Sequence, residues 1–102
     1  MTLHKIFRAG EWQAFQQSGR FAGSADDLRD GFIHLSTDAQ LAGTLARHFA
    51  GEGGLVVAEV GVAEDPDLRW EVSRGGQRFP HLYRALLTDD IVAAVPPDAP
   101  PP

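Results

Sequence analysis

The chain has no cysteine, one methionine and one tyrosine in 102 residues. The missing thiol excludes disulfides, thiolate nucleophiles and every cysteine-based zinc or iron–sulfur site. Any nucleophile or metal ligand must be His, Ser, Thr, Tyr or a carboxylate. Positive charge is also scarce. Nine Lys and Arg against 14 Asp and Glu leave a formal net charge of -5, which as a whole repels a phosphate backbone, so nucleic acid is not an expected partner. No apolar run approaches the roughly 20 residues that cross a bilayer, and the opening residues lack the apolar core of a secretory signal. A cytoplasmic location without a membrane partner is the expectation.

A 43% hydrophobic content supports one core of ordinary proportions, expected over residues 1–95 as a single domain. The end of the chain, V-P-P-D-A-P-P-P, has too little apolar surface to pack, and 96–102 is expected to be a disordered Pro-rich tail.

Leu3 to Phe7 reads as a strand with Leu3, Lys5 and Phe7 on one face and His4 and Ile6 on the other. Ala9 to Ser18 suits a helix that turns Trp12 and Phe15 inward and stops at Gly19. Arg20 to Gly23 connects it to a two-turn helix opened by the S-x-x-D spacing of Ser24 and Asp27 and ended by Gly31. In D-G-F-I-H-L-S-T, Asp30 to Thr37, a turn, one short strand and a helix start are expected to meet, with Phe32, His34 and Ser36 sharing a strand face. Thr37 and Gln40 form a capping-box spacing for a helix to about Phe49, whose Leu41, Leu45 and either His48 or Phe49 form a stripe that faces the core.

Leu55 to Val62 is almost continuously apolar and reads as a central strand. Leu68 to Val72 alternates, with Leu68, Trp70 and Val72 on one face and Arg69 and Glu71 on the other. A Gly-Gly turn joins it to Arg78–Tyr83, where Phe79, His81 and Tyr83 share a face and Pro80 predicts an edge strand, a strand start or a bulge. A last strand covers Ile91 to Val95. Five or six short strands, with two or three helices confined to the N-terminal half, make an α+β domain of mostly antiparallel pairing.

Chemistry concentrates on three histidines. His4, His34 and His81 each fall on an expected strand, and His34 and His81 share their faces with the hydroxyls of Ser36 and Tyr83. Inward polar aromatics in a small domain must satisfy one another or bind something. His48, at a helix end, is expected to have a capping or solvent role. No H-x-H or H-E-x-x-H spacing supports a metal site, and no G-x-S-x-G elbow supports a serine hydrolase. Glu71 with Arg69 can either meet a ligand or form a solvated ion pair. Arg74, Arg78 and Arg84 flank F-P-H-L-Y and offer a weak phosphate site.

L-H-K-I near the start, W-x-x-F followed by a glycine, D-G-F-I-H-L-S-T-D-A-Q, L-R-W-E and R-F-P-H-L-Y, taken in this order, resemble domain-of-unknown-function family 952 from Leu3 to about Val95. The resemblance implies an ADP-ribosylation-like fold, a split antiparallel β core that in its enzyme relatives holds NAD in a cleft. By position His4 matches a first-strand element of those enzymes, and His34, Ser36 and Thr37 match a nicotinamide-pocket element. The third, late element falls on Glu71 or on F-P-H-L-Y. There is no Glu-x-Glu or Gln-x-Glu pair; His81 and Tyr83 stand in its place. RNA 2'-phosphotransferases of related fold use His and Arg with NAD, but the acidic balance disfavours an RNA substrate.

The expectation is therefore a cleft that binds a nucleotide or related small metabolite, with NAD as the cofactor implied by resemblance. His34, Glu71 and His81 are its expected catalytic residues, and His4, Ser36, Thr37, Arg69, Phe79 and Tyr83 its ligand contacts. The rival is a non-enzymatic module whose histidines form a structural polar network.

Overall fold

The computed structural model describes residues 1–96, except for the side chain of Arg74. Most of the expected Pro-rich tail therefore lies outside the described residues. Nine strands and three α-helices occur among them: β1 (Leu3–Phe7), α1 (Ala9–Ser18), β2 (Arg20–Phe21), α2 (Ala25–Asp30), β3 (Ile33–His34), β4 (Ser36–Thr37), α3 (Asp38–His48), β5 (Val56–Val60), β6 (Leu68–Val72), β7 (Arg78–Leu82), β8 (Leu86–Leu87) and β9 (Ile91–Val95). None of these helices is long and apolar enough to cross a membrane.

All described strand pairs are antiparallel, in sheets ordered β4-β1-β5-β9, β3-β7-β6 and β2-β8. The α+β class and the antiparallel pairing agree with the sequence reading. The number of strands does not, because β2, β3, β4 and β8 are two-residue strands. Such short segments carry no period-2 signal.

β1 and β5 hold the fold together because both of their faces are covered. On one side Leu3 and Phe7 join Phe15, Phe21, Ala58, Val60, Leu82 and Leu86 in the main core. The Phe7 ring lies 5.1 Å from Trp12, 5.6 Å from Phe15 and 4.8 Å from Phe21, centroid to centroid. On the other side Ile6, Leu55 and Val57 receive Leu41 and Leu45 of α3 and Phe49 at its C-cap, the stripe that the helical spacing predicts with Phe49 as its last member. The helix ends follow the local signals. Ser24 and Thr37 form capping boxes with Asp27 and Gln40, and Gly19 and Gly31 take left-handed conformations at the C-terminal caps.

Two local expectations fail. Residues 30–37 do not form one strand: β3 pairs with β7 and β4 pairs with β1, in different sheets. The chain crosses between them at buried Leu35, whose N–H donates to the Pro80 carbonyl at 3.0 Å. Consequently His34 and Ser36 do not share a strand face. Pro80 lies in the middle strand of its sheet rather than at an edge. With that carbonyl bonded to Leu35 where β3 ends, the proline nitrogen points to the same side, beyond β3, and interrupts no β6 ladder bond. The alternation read in β6 belongs to an edge strand whose apolar face is only partly covered: Leu68 packs on the core, but Trp70 is 36% exposed and Val72 is open to solvent. Alternation identifies a shared face and not what lies against it.

Candidate functional site

The site is built outward from Asp27. Its backbone N–H donates to Ser24 Oγ at 3.2 Å, and its Oδ2 accepts from the Ser24 N–H at 2.9 Å, so the helix cap positions the carboxylate. Gly23 makes room, since a Cβ there would lie 2.7 Å from Asp27 Cβ. The Asp27 side chain is 1% exposed. It also accepts from Lys5 Nζ at 2.8 Å, from the His34 backbone N–H at 3.1 Å and from His34 Nδ1 at 2.6 Å. Burial pushes this carboxyl up, but the His34 hydrogen bond and the Lys5 ammonium outweigh it and hold the group well below the ordinary 3.8. Lys5 is itself buried and also donates to the His34 carbonyl at 3.2 Å.

His34 is 37% exposed and its second ring nitrogen, Nε2, lies 3.0 Å from Asp30 Oδ2. Directly opposite in the strand register stands His81. The two imidazoles lie edge to face with centroids 5.5 Å apart. His81 Nδ1 faces Glu71 Oε1 at 2.9 Å, and the same oxygen accepts from the Tyr83 hydroxyl at 2.6 Å. The Phe32 ring stacks on His81 at 4.0 Å. Hydrogen bonds from Tyr83 and then His81 hold the Glu71 carboxyl below its ordinary value, while the bond to Glu71 raises the Tyr83 phenol.

At the other wall, His4 Nε2 bonds Asp38 and its buried Nδ1 has no partner among the described residues. Thr44 Oγ1 donates to the Gln40 carbonyl at 3.1 Å, so the 3.0 Å contact with Ser36 is donated by Ser36. Gln40 Nε2 donates to the Arg78 carbonyl at 2.7 Å and ties α3 to β7.

Of the residues picked out by sequence, His4, His34, Ser36, Phe79 and His81 line one cleft of about 370 Å³. Thr37, Arg69, Glu71 and Tyr83 are not among its lining residues. Thr37 caps α3, as its spacing predicts. Glu71 and Tyr83 act on the cleft through His81, and the Arg69 guanidinium sits 5.7 Å from the centre of the Tyr83 ring. His48, expected in a capping or solvent role, is exposed in the last turn of α3 and also lines the cleft, so all four histidines of the chain border it. Arg84 is committed elsewhere, to Asp65 and Asp90 at 2.8 Å each. Among the described residues no group of three or more His, Asp or Glu side chains is arranged to hold a metal ion.

Sequence reading missed Lys5, Asp27 and Asp30 as site residues. One signal was available: a lysine alternating with Leu3 and Phe7 on a buried face must meet a carboxylate inside. The cleft also departs from the acidity of the whole. Four of the nine Lys and Arg line it (Lys5, Arg8, Arg29, Arg47), against three of the 14 acids (Asp26, Asp27, Asp30).

No curated protein matches the chain. Among solved structures, the crystal structure of protein CC0527 from Caulobacter crescentus is 48% identical with a TM-score of 0.89, over 94% of this chain and 85% of that one. The solution NMR structure of CC0527 is 47% identical with a TM-score of 0.83, over 93% and 83% of the two chains. A family model described as "Protein of unknown function (DUF952)" matches residues 6–94, a stretch that holds the His34–Asp27 and His81–Glu71 pairs, and the chain belongs to that family.

Proposed function

We propose that the protein binds a nucleotide or related small metabolite of the NAD type in this cleft, in the cytoplasm, on an ADP-ribosylation-like scaffold. One observation carries the reading: four histidines and a local excess of cations converge on one cleft in a chain whose net charge is -5. A concave site with convergent polar groups is where a small ligand is expected. The division of the antiparallel pairing between a four-stranded and a three-stranded sheet is compatible with a split β core. Phe79 offers an aromatic surface to a base.

If the ligand is transformed, His34 and His81 are the catalytic residues. Each has Nδ1 against a carboxylate, which fixes the orientation of the ring, the arrangement used in acid–base catalysis. Glu71 is a positioning residue, since it reaches the cleft only through His81.

The test is a titration with NAD, ADP-ribose and a panel of nucleotides, following the imidazole resonances of His4, His34 and His81. Saturable shifts in all three are expected. Their absence at millimolar ligand sinks the reading. An incubation with NAD that releases nicotinamide, lost in His34→Ala, extends binding to catalysis.

The second reading is a structural polar network without a small ligand. It draws on His34, both of whose ring nitrogens already face carboxylates within the chain.

A further inference from the structure

We infer that Asp30 occupies the place of a ligand oxyanion: the cleft takes an anion that displaces the Asp30 carboxylate from His34 Nε2. This rests on reading the cleft as a ligand site and adds the chemical class of the group bound at its centre. The two carboxylates on His34 differ in how firmly they are held. Asp27 is buried and accepts from Ser24, Lys5 and both His34 donors, so it cannot leave without stranding a buried lysine. Asp30 is one-third exposed, at the end of a six-residue helix just before left-handed Gly31.

Asp30 also has somewhere to go. Arg29 Nε lies 3.0 Å from its Oδ1 and Arg29 Nη2 lies 3.3 Å from its Oδ2, so the carboxylate keeps a cationic partner when it parts from the imidazole. His34 Nε2 lies 3.0 Å from Asp30 Oδ2, and a ring nitrogen set against a carboxylate meets it as an N–H donor. Once Asp30 withdraws, that ring presents an Nε2–H to the cleft beside His81, whose Nδ1 is taken by Glu71 and whose Nε2 is the nitrogen left for a ligand. Asp30 contacts His34 alone of the two, whereas a phosphoryl or carboxylate group with several oxygens can accept from both imidazoles. The surplus of Lys and Arg over acids along the walls favours the same sign of charge.

Inorganic phosphate and acetate, titrated separately into the wild type, Asp30→Asn and Asp26→Asn, test this through the imidazole resonances. Asp26→Asn removes the same charge from the cleft wall without touching His34, and Asp30→Asn keeps an amide oxygen for Arg29. Each variant is first checked for a native amide spectrum. Phosphate should shift His34 and His81 together and bind Asp30→Asn about tenfold tighter than wild type, against at most about twofold for Asp26→Asn. Tightening for phosphate assigns a phosphoryl group, and tightening for acetate alone assigns a carboxylate. Equal tightening in both variants, or none in Asp30→Asn, overturns the displacement. If NAD or ADP-ribose still shifts the wild-type imidazoles in that case, only the role of Asp30 falls. If no ligand shifts any imidazole in any of the three proteins, the cleft reading falls with it.

Discussion

The His34–Asp27 and His81–Glu71 pairs, side by side on the paired strands β3 and β7, are built in opposite senses. In the first the carboxylate is inside and the ring outside: Asp27 is 1% exposed and His34 37%. In the second the ring is inside and the carboxylate outside, with His81 at 6% and Glu71 at 40%. The difference follows from what stands behind each carboxylate. Asp27 is backed by Lys5, a buried cation that requires a buried anion, so the pair is part of the core. Glu71 is on the edge strand β6 and is backed by the hydroxyl of Tyr83, which is itself exposed, with Arg69 acting from a distance. The same contact is a structural member in one place and an adjustable one in the other. An imidazole can be oriented by either.

The largest effect should come from breaking the buried pair. Asp27→Ala leaves the Lys5 ammonium buried without its partner and is expected to destabilise the fold by about 3–5 kcal/mol in urea denaturation. Lys5→Met should fall in the same range, about 3 kcal/mol or more, and the double variant should lose less than the sum of the two. If the two losses simply add, Lys5 and Asp27 are not one unit and the contrast between the pairs collapses.

Acid sharpens the comparison further. The folded-state carboxyl of Asp27 lies below its unfolded value near 3.8, so the unfolded chain binds the extra proton first. The stabilisation is present above that value and is lost as the pH falls through it and below. Denaturation midpoints measured from pH 6 downward should fall in wild type and show a shallower fall in Lys5→Met. A slope unchanged by that substitution would mean that other carboxyls govern the acid limb.

The smallest effect belongs to the outer pair. Tyr83 is the only tyrosine, so its phenolate absorbance titrates without overlap. The hydrogen bond to Glu71 raises the phenol above its ordinary value of 10.0. In Glu71→Gln the titration should move back toward 10.0, with the urea midpoint near that of wild type. A large loss of stability in that variant would make the two pairs equivalent after all.

The helices were legible because their signals are local. Ser24 with Asp27 and Thr37 with Gln40 are separated by three residues, and the hydrogen bonds that start the helices span that same distance. The α3 stripe was legible for a related reason, since period and burial agree along one helix face. The stretch from Asp30 to Thr37 was not. Its alternation is real, yet Leu35 moves the chain from one sheet to another, and partners on β7 and β1 decide that move. Of the site residues, the histidines stood out by their chemistry. Asp27 was hidden by its second role as a cap, and Thr37 was correctly a cap but not a wall of the cleft.

By itself the sequence determined the chemical vocabulary, with histidine, hydroxyl and carboxylate in the absence of any thiol, and the starts of all three helices. It also carried the family through the spacing of its motifs. Only the tertiary structure decided which histidine meets which carboxylate and which ones face a common cleft. Lys5 and Asp27 are 22 residues apart and His4 and Asp38 are 34 apart. Contacts at such separations are set by strand register and sheet order, which bring a cation-rich wall together inside an acidic chain and which no short-range pattern encodes.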